Sequence, residues 1–185
     1  MEQLRARPTR FHLDCQDKRS DMHIFLDGGF CFSEAPWLSW GDIKYGLHRG
    51  FLNSTGVVEY AVKSLSADSP AEQYELACLT GDDVNDVQEC VSRLAVKGAQ
   101  DVRGSEKVWI FLVFLWVFMN RDRYQDPLGI VEELYADFDY PESVAPIVRY
   151  MPAADPSLEG EDQLFKNWSN MLELFRKELQ ASRSG

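Results

Sequence analysis

The chain predicts an all-α fold, a compact bundle of roughly six to eight helices around a central apolar helix. Three observations carry that prediction. Val108 to Met119 is an unbroken run of twelve apolar residues, hydrophobic on every side and therefore suited to the middle of a bundle. Elsewhere apolar residues return at helical spacing. The segments that carry them begin and end on residues that cap helices. The one strand-like signal lies near the start, where Ile24–Leu26 and Phe30–Phe32 flank Asp27-Gly28-Gly29, a turn chemistry that predicts a small N-terminal β-hairpin.

In order along the chain, Ser39 is an N-cap candidate for a helix over Trp40–Leu47, and Gly50 suits the left-handed position that closes it. A helix follows Ser54 or Thr55, with Val57, Ala61 and Leu65 on one stripe and Val58 and Val62 beside it. Ser69-Pro70 reads as a cap and a first-turn proline, opening a helix with Tyr74, Ala77 and Cys78 that Gly81 ends. Asp82 or Asp83 caps the next, in which Val84, Val87, Val91 and Leu94 recur until Gly98. Ser105-Glu106-Lys107 leads into the apolar run, and Arg121-Asp122-Arg123 marks its exit. Asp126-Pro127 starts a helix whose Leu128, Val131, Leu134, Tyr135 and Phe138 share a face. Pro141, Pro146, Pro152 and Pro156 break the chain into short pieces before Leu164, Trp168, Met171, Phe175 and Leu179 mark a long amphipathic helix.

At 185 residues and 21.2 kDa the chain fits one domain that can bury a core without disulfides or metal. Residues 1–21 mix five basic with four acidic side chains and hold no apolar core. They are expected to be a disordered or mis-started extension ahead of Met22, with residues 22–185 as a single α-helical domain. Cys15, Cys31, Cys78 and Cys90 match no short-spaced zinc pattern and are expected to be reduced thiols in a cytoplasmic protein. The apolar run would be about 18 Å long as a helix, short of a bilayer span, so no membrane partner is expected. A formal net charge of -11 repels nucleic-acid phosphates and favours a basic partner.

The acidity is concentrated. Between Asp126 and Asp162 stand ten acidic residues and one basic residue, Arg149. Within that segment Tyr135-Ala136-Asp137-Phe138-Asp139-Tyr140-Pro141 alternates aromatic anchors with carboxylates, and Arg149-Tyr150-Met151-Pro152 follows. Glu133 and Asp137 lie four residues apart on the water-facing side of the predicted helix, where like charges repel by a few tenths of a kcal/mol. Asp139 and Glu142 extend the acidic surface past the helix end, against the helix dipole. A solvated face would tolerate these small costs; a binding surface for a basic protein would use them. The partner-binding candidates are therefore Glu133, Asp137, Asp139 and Glu142, with Asp82, Asp83, Asp86 and Glu89 as another acidic face.

Other chemistry is sparse. Glu133, Asp137 and Asp139 have the hard oxygen ligands that suit magnesium or manganese, which keeps a metal-dependent hydrolase as the rival reading. His12, His23 and His48 are scattered, with no nucleophile motif nearby, and no glycine loop has phosphate-cradling spacing. No catalytic residue and no cofactor is expected. Trp37, Trp40 and Tyr45 read as core anchors.

Taken together, Leu38-Ser39-Trp40-Gly41-Asp42-Ile43-Lys44-Tyr45-Gly46-Leu47, Val58-Glu59-Tyr60-Ala61, Asp126-Pro127-Leu128 with Val131-Glu132, Tyr135 to Pro141 and Arg149 to Pro152 resemble a bacterial domain family of unknown function. The chain resembles in particular single-domain proteins encoded beside polymorphic or contact-dependent growth inhibition toxins. The resemblance covers Trp37 to the C-terminal helix, and Tyr135 to Pro141 is its most specific part. It implies a binding protein with an immunity role rather than an enzyme; with the chain's acidity, the expected target is a basic toxin, a ribonuclease first of all, neutralised by stoichiometric binding. It brings no catalytic residues with it. A non-toxin adaptor remains a further alternative.

Overall fold

The computed structural model describes residues 24–96, 102–151 and 160–183. Eight α-helices make up its architecture among these residues: α1 (Gly28–Glu34), α2 (Trp40–Arg49), α3 (Ser54–Lys63), α4 (Ala71–Ala77), α5 (Val84–Val96), α6 (Val102–Met119), α7 (Pro127–Asp137) and α8 (Glu161–Arg183). Short 3-10 turns at Arg121–Arg123 and Ala145–Ile147 join the later helices. The all-α expectation holds. The extension before Met22, His12, His23, Cys15, Gly98, Pro152 and Pro156 lie outside the described residues.

The apolar run forms the centre as its composition demands. Val108, Trp109, Phe111, Leu112, Val113, Phe114 and Val117 of α6 are fully buried. Helices α2 and α8 pack on α6, and α7 meets it as well, with Phe138 beside Phe114. Helix α8 contributes Trp168, Met171, Leu172, Phe175 and Leu179 to that contact surface. A second layer forms from α3, α4 and α5, with α1 laid on α3.

The predicted hairpin is absent. Asp27 sits in extended backbone and its carboxylate accepts the Phe30 N–H, so the turn-like residues cap α1 instead. Among the described residues, the strand-like pairing is an isolated parallel bridge between Leu26 and Leu52. Tertiary packing explains the switch: an added Cβ on Gly28 would lie 2.0 Å from the Gly56 carbonyl oxygen. Gly28 lets α1 approach the backbone of α3, and this use of glycine is indistinguishable in sequence from a turn.

Smaller corrections follow the same logic. Asn53, not Ser54 or Thr55, caps α3 through the Gly56 N–H, and Val62 faces solvent while Tyr60 is buried. Helix α4 buries Gln73 and Leu76 and leaves Tyr74 and Cys78 exposed, because the Gln73 side chain donates to the Ala61 carbonyl and the Ser64 hydroxyl across the α3 interface. Cys31, Cys78 and Cys90 are free thiols. No helix of the described residues is long and apolar enough to cross a membrane.

Candidate functional site: the acidic aromatic tip of α7

The first conspicuous motif is explained by the core. Ser39 accepts the Asp42 N–H, and the Asp42 carboxylate accepts from the Ser39 N–H (2.8 Å) and hydroxyl (2.7 Å), closing a capping box at the start of α2. The other Asp42 oxygen accepts the Ser105 hydroxyl at 2.7 Å, and the Asp42 carbonyl accepts the Trp109 indole N–H at 2.7 Å. Asp42 is 1 % exposed and Ile43 is fully buried. Gly46 must lack a side chain, since a Cβ there would lie 1.9 Å from Trp109 Cζ2. Trp37, Trp40 and Tyr45 pack against this core as anchors.

The second motif begins in the core and ends outside it. Asp126 caps α7 by accepting the Gly129 N–H at 3.0 Å, with Pro127 in the first turn. Leu128, Ile130, Val131, Leu134, Tyr135 and Phe138 are buried. Phe51, just after α2, stacks on Trp109 on one side (5.8 Å) and on Phe138 on the other (5.0 Å). Arg49 reaches the same place and donates to the Asp137 carbonyl at 2.8 Å, satisfying one of the orphan acceptors at the end of α7. The tip of α7 is thus bolted to α2 and α6 from below.

Above that bolt the backbone turns sharply. The Tyr140 N–H donates to the Tyr135 carbonyl (2.8 Å) and the Asp139 N–H to the Ala136 carbonyl (3.0 Å), the paired bonds of a Schellman ending. Asp139 occupies the position usually held by glycine, at φ 59°, and Tyr140 follows at φ 58°. Two consecutive side chains in the left-handed region cost about 1–3 kcal/mol each. Asparagine and aspartate tolerate that region better than most residues; tyrosine has no such excuse.

The four sequence-predicted residues all lie on this tip and all are exposed: Glu133 one turn before the end of α7, Asp137 as its last residue, Asp139 at the left-handed turn, and Glu142 in the loop that follows. Partial burial, and secondarily the Asp137 charge, raise the Glu133 carboxyl above its ordinary value. No group of three or more His, Cys, Asp or Glu able to hold a metal ion occurs among the described residues, so Glu133, Asp137 and Asp139 are not gathered for the rival hydrolase. His48 is exposed in the last turn of α2. On the other acidic face, Asp83 is occupied in capping: its carboxylate accepts the Thr80 N–H and hydroxyl, which hold it below its usual range.

Two features went unread in the sequence. Tyr140 and Tyr150 are 58 % and 59 % exposed, and both lean on the buried Tyr135 ring, at centroid distances of 5.3 Å and 6.4 Å. Arg149 clamps the loop that carries Tyr150 back onto α7: Nε donates to Glu132 (2.8 Å) and a terminal nitrogen donates to Asp126 (2.9 Å) and Glu132 (3.3 Å). Its being the lone cation in an acidic segment was the available signal.

A family model described as "Uncharacterized protein conserved in bacteria (DUF2247)" matches residues 30–176, a span that contains both motifs. No curated protein and no solved structure matches the chain.

Proposed function

We propose that this chain, which belongs to the bacterial family DUF2247, is a stoichiometric binding protein: a cytoplasmic immunity protein that neutralises a basic toxin, with a contact-dependent growth inhibition ribonuclease as the first candidate. It docks through Glu133, Asp137, Asp139 and Glu142. The observation that supports this most is the composition of the α7 tip, where four exposed carboxylates share one short segment with Tyr140 and, further on, Tyr150, large aromatic side chains that the fold leaves exposed. Exposed aromatics with rigid backbones are the usual anchors of protein interfaces, and their acidic rim selects a cationic partner. A nuclease must be basic to hold phosphates, and a chain of net charge -11 would meet such a surface rapidly.

The energetics agree with that use. Carboxylates beside one another, and at the negative end of a helix, cost the free protein a few tenths of a kcal/mol each. A bound lysine or arginine would convert those costs into attraction. The experiment is capture and rescue with the toxin domain encoded beside this gene, followed by reversal of all four charges to lysine. Wild-type protein should bind the toxin domain one to one and restore growth. The reversed protein should keep its helical circular dichroism but associate at least about tenfold more slowly at low salt. If the neighbouring toxin is not bound, or charge reversal leaves association and its salt dependence unchanged, the reading fails.

A further inference from the structure

The carboxylates attract a cation without saying where it stops. The tyrosines supply the seat. Tyr140 and Tyr150 stand on either side of the Ala145–Ile147 turn that follows α7, and both rest on Tyr135, at interplanar angles of 86° and 54°. Tyr135 is buried and cannot yield, so the two outer rings are based on a fixed support. The left-handed pair at Asp139 and Tyr140 sets one ring, and the Arg149 clamp on Asp126 and Glu132 sets the other. Two arginines at this tip are already engaged, Arg149 with those carboxylates and Arg49 with the Asp137 carbonyl and the Phe51 ring. The two outer tyrosines stand exposed, with the exposed carboxylates of Asp139 and Glu142 flanking Tyr140 in the chain, while Glu133 and Asp137 lie on the opposite face of α7 from Tyr135.

We infer that Tyr140 and Tyr150 form an aromatic seat for an arginine side chain of a basic protein partner, with Tyr135 as its floor support and Asp139 and Glu142 as the carboxylates beside it. The inference deepens the docking reading above and rests on it. Arginine fits better than lysine because its planar guanidinium stacks on an aromatic face, is more weakly hydrated, and still meets carboxylates with its remaining N–H groups.

The test uses the full chain and two synthetic probes of equal charge, hexa-arginine and hexa-lysine, followed through the tyrosine ring signals by nuclear magnetic resonance. The Tyr140 and Tyr150 signals, assigned from the single leucine variants, should shift saturably with hexa-arginine, and that probe should bind at least about threefold more tightly than hexa-lysine. The double variant Tyr140→Leu/Tyr150→Leu keeps apolar bulk but removes the rings; it should lose the arginine preference while retaining charge-driven binding. Equal affinity for the two probes, unmoved ring signals, or an arginine preference that survives in the double variant would overturn the seat. Should hexa-arginine binding respond to reversal of the four carboxylates but not to loss of the rings, the seat fails and acidic docking stands. An arginine preference without capture of the neighbouring toxin supports the seat and sinks the toxin reading instead.

Discussion

The entrance of α2 and the tip of α7 look alike in sequence, each a short run of aromatics mixed with carboxylates, yet the fold puts them to opposite use. At α2 the carboxylate of Asp42 is almost wholly buried and filled with donors from Ser39 and Ser105, and its aromatic neighbour Trp109 is sealed against Gly46. At α7 Asp139 and Tyr140 are exposed in a left-handed turn, and Tyr150 is held in the open by a clamp of charges. Stability accounts for the first arrangement. For the second it accounts for Tyr135 and Phe138 but not for the residues outside them. The contrast separates a motif enclosed by the core from one whose outer side chains face solvent.

The comparison breaks most visibly at Trp109. The Trp109→Ala variant loses a fully buried ring, its stack on Phe51 and its bond to the Asp42 carbonyl, a loss of about 3–5 kcal/mol in unfolding free energy. Urea denaturation measures it. A loss near zero would show that the α2–α6 contact does not organise the core. Asp42→Ala is expected to cost less, about 2–3 kcal/mol, because it removes a cap and leaves the buried Ser105 hydroxyl without its acceptor. Asp42→Asn should recover part of that, since one amide oxygen can still accept.

The core half of the molecule was legible in the sequence for a physical reason. Helical periodicity and capping chemistry are local, so Ser39, Gly50, Asp126-Pro127 and the apolar face of α7 appear where those rules place them. Failures came where a residue answers to something distant. Gly28 serves the α1–α3 approach rather than a hairpin, and the buried face of α4 is set by Gln73 bonding to α3 rather than by Tyr74 and Cys78. At the tip, the four carboxylates are legible from charge density and helical spacing. The lean of Tyr140 and Tyr150 on Tyr135, the Arg149 clamp and the Arg49 bolt each join residues well apart in sequence or depend on a turn conformation that tyrosine seldom adopts. No period or cap rule encodes them.

A sharper contrast comes from substituting Asp139. Glycine at this position removes the left-handed penalty, so Asp139→Gly should stabilise the fold by about 1 kcal/mol, which for a domain of this size raises the melting temperature by roughly 2–4 °C. Asp139→Ala removes the same carboxylate but keeps the Cβ, and should not gain that stability. Both should slow association with the proposed basic partner to a similar extent. A glycine variant that is both more stable and equally fast in binding would mean that Asp139 serves neither purpose.

The smallest effect belongs to Glu133. Burial and the Asp137 charge raise its folded carboxyl above the ordinary value of 4.5, so the folded state holds this proton more tightly than the unfolded chain. By linkage, that term favours folding at low pH and fades as pH rises from about 4.5 through the raised folded value. The residue is largely exposed, and solvent screening keeps the contribution small. Glu133→Gln should therefore flatten the fall in stability with rising pH across that window without changing stability much below it. Asp137→Asn should do part of the same by removing the neighbouring charge. Melting temperatures across the window for the three proteins decide the matter: parallel curves would mean that Glu133 and Asp137 do not feel one another, and that the acidic rim carries no electrostatic cost for a bound cation to relieve.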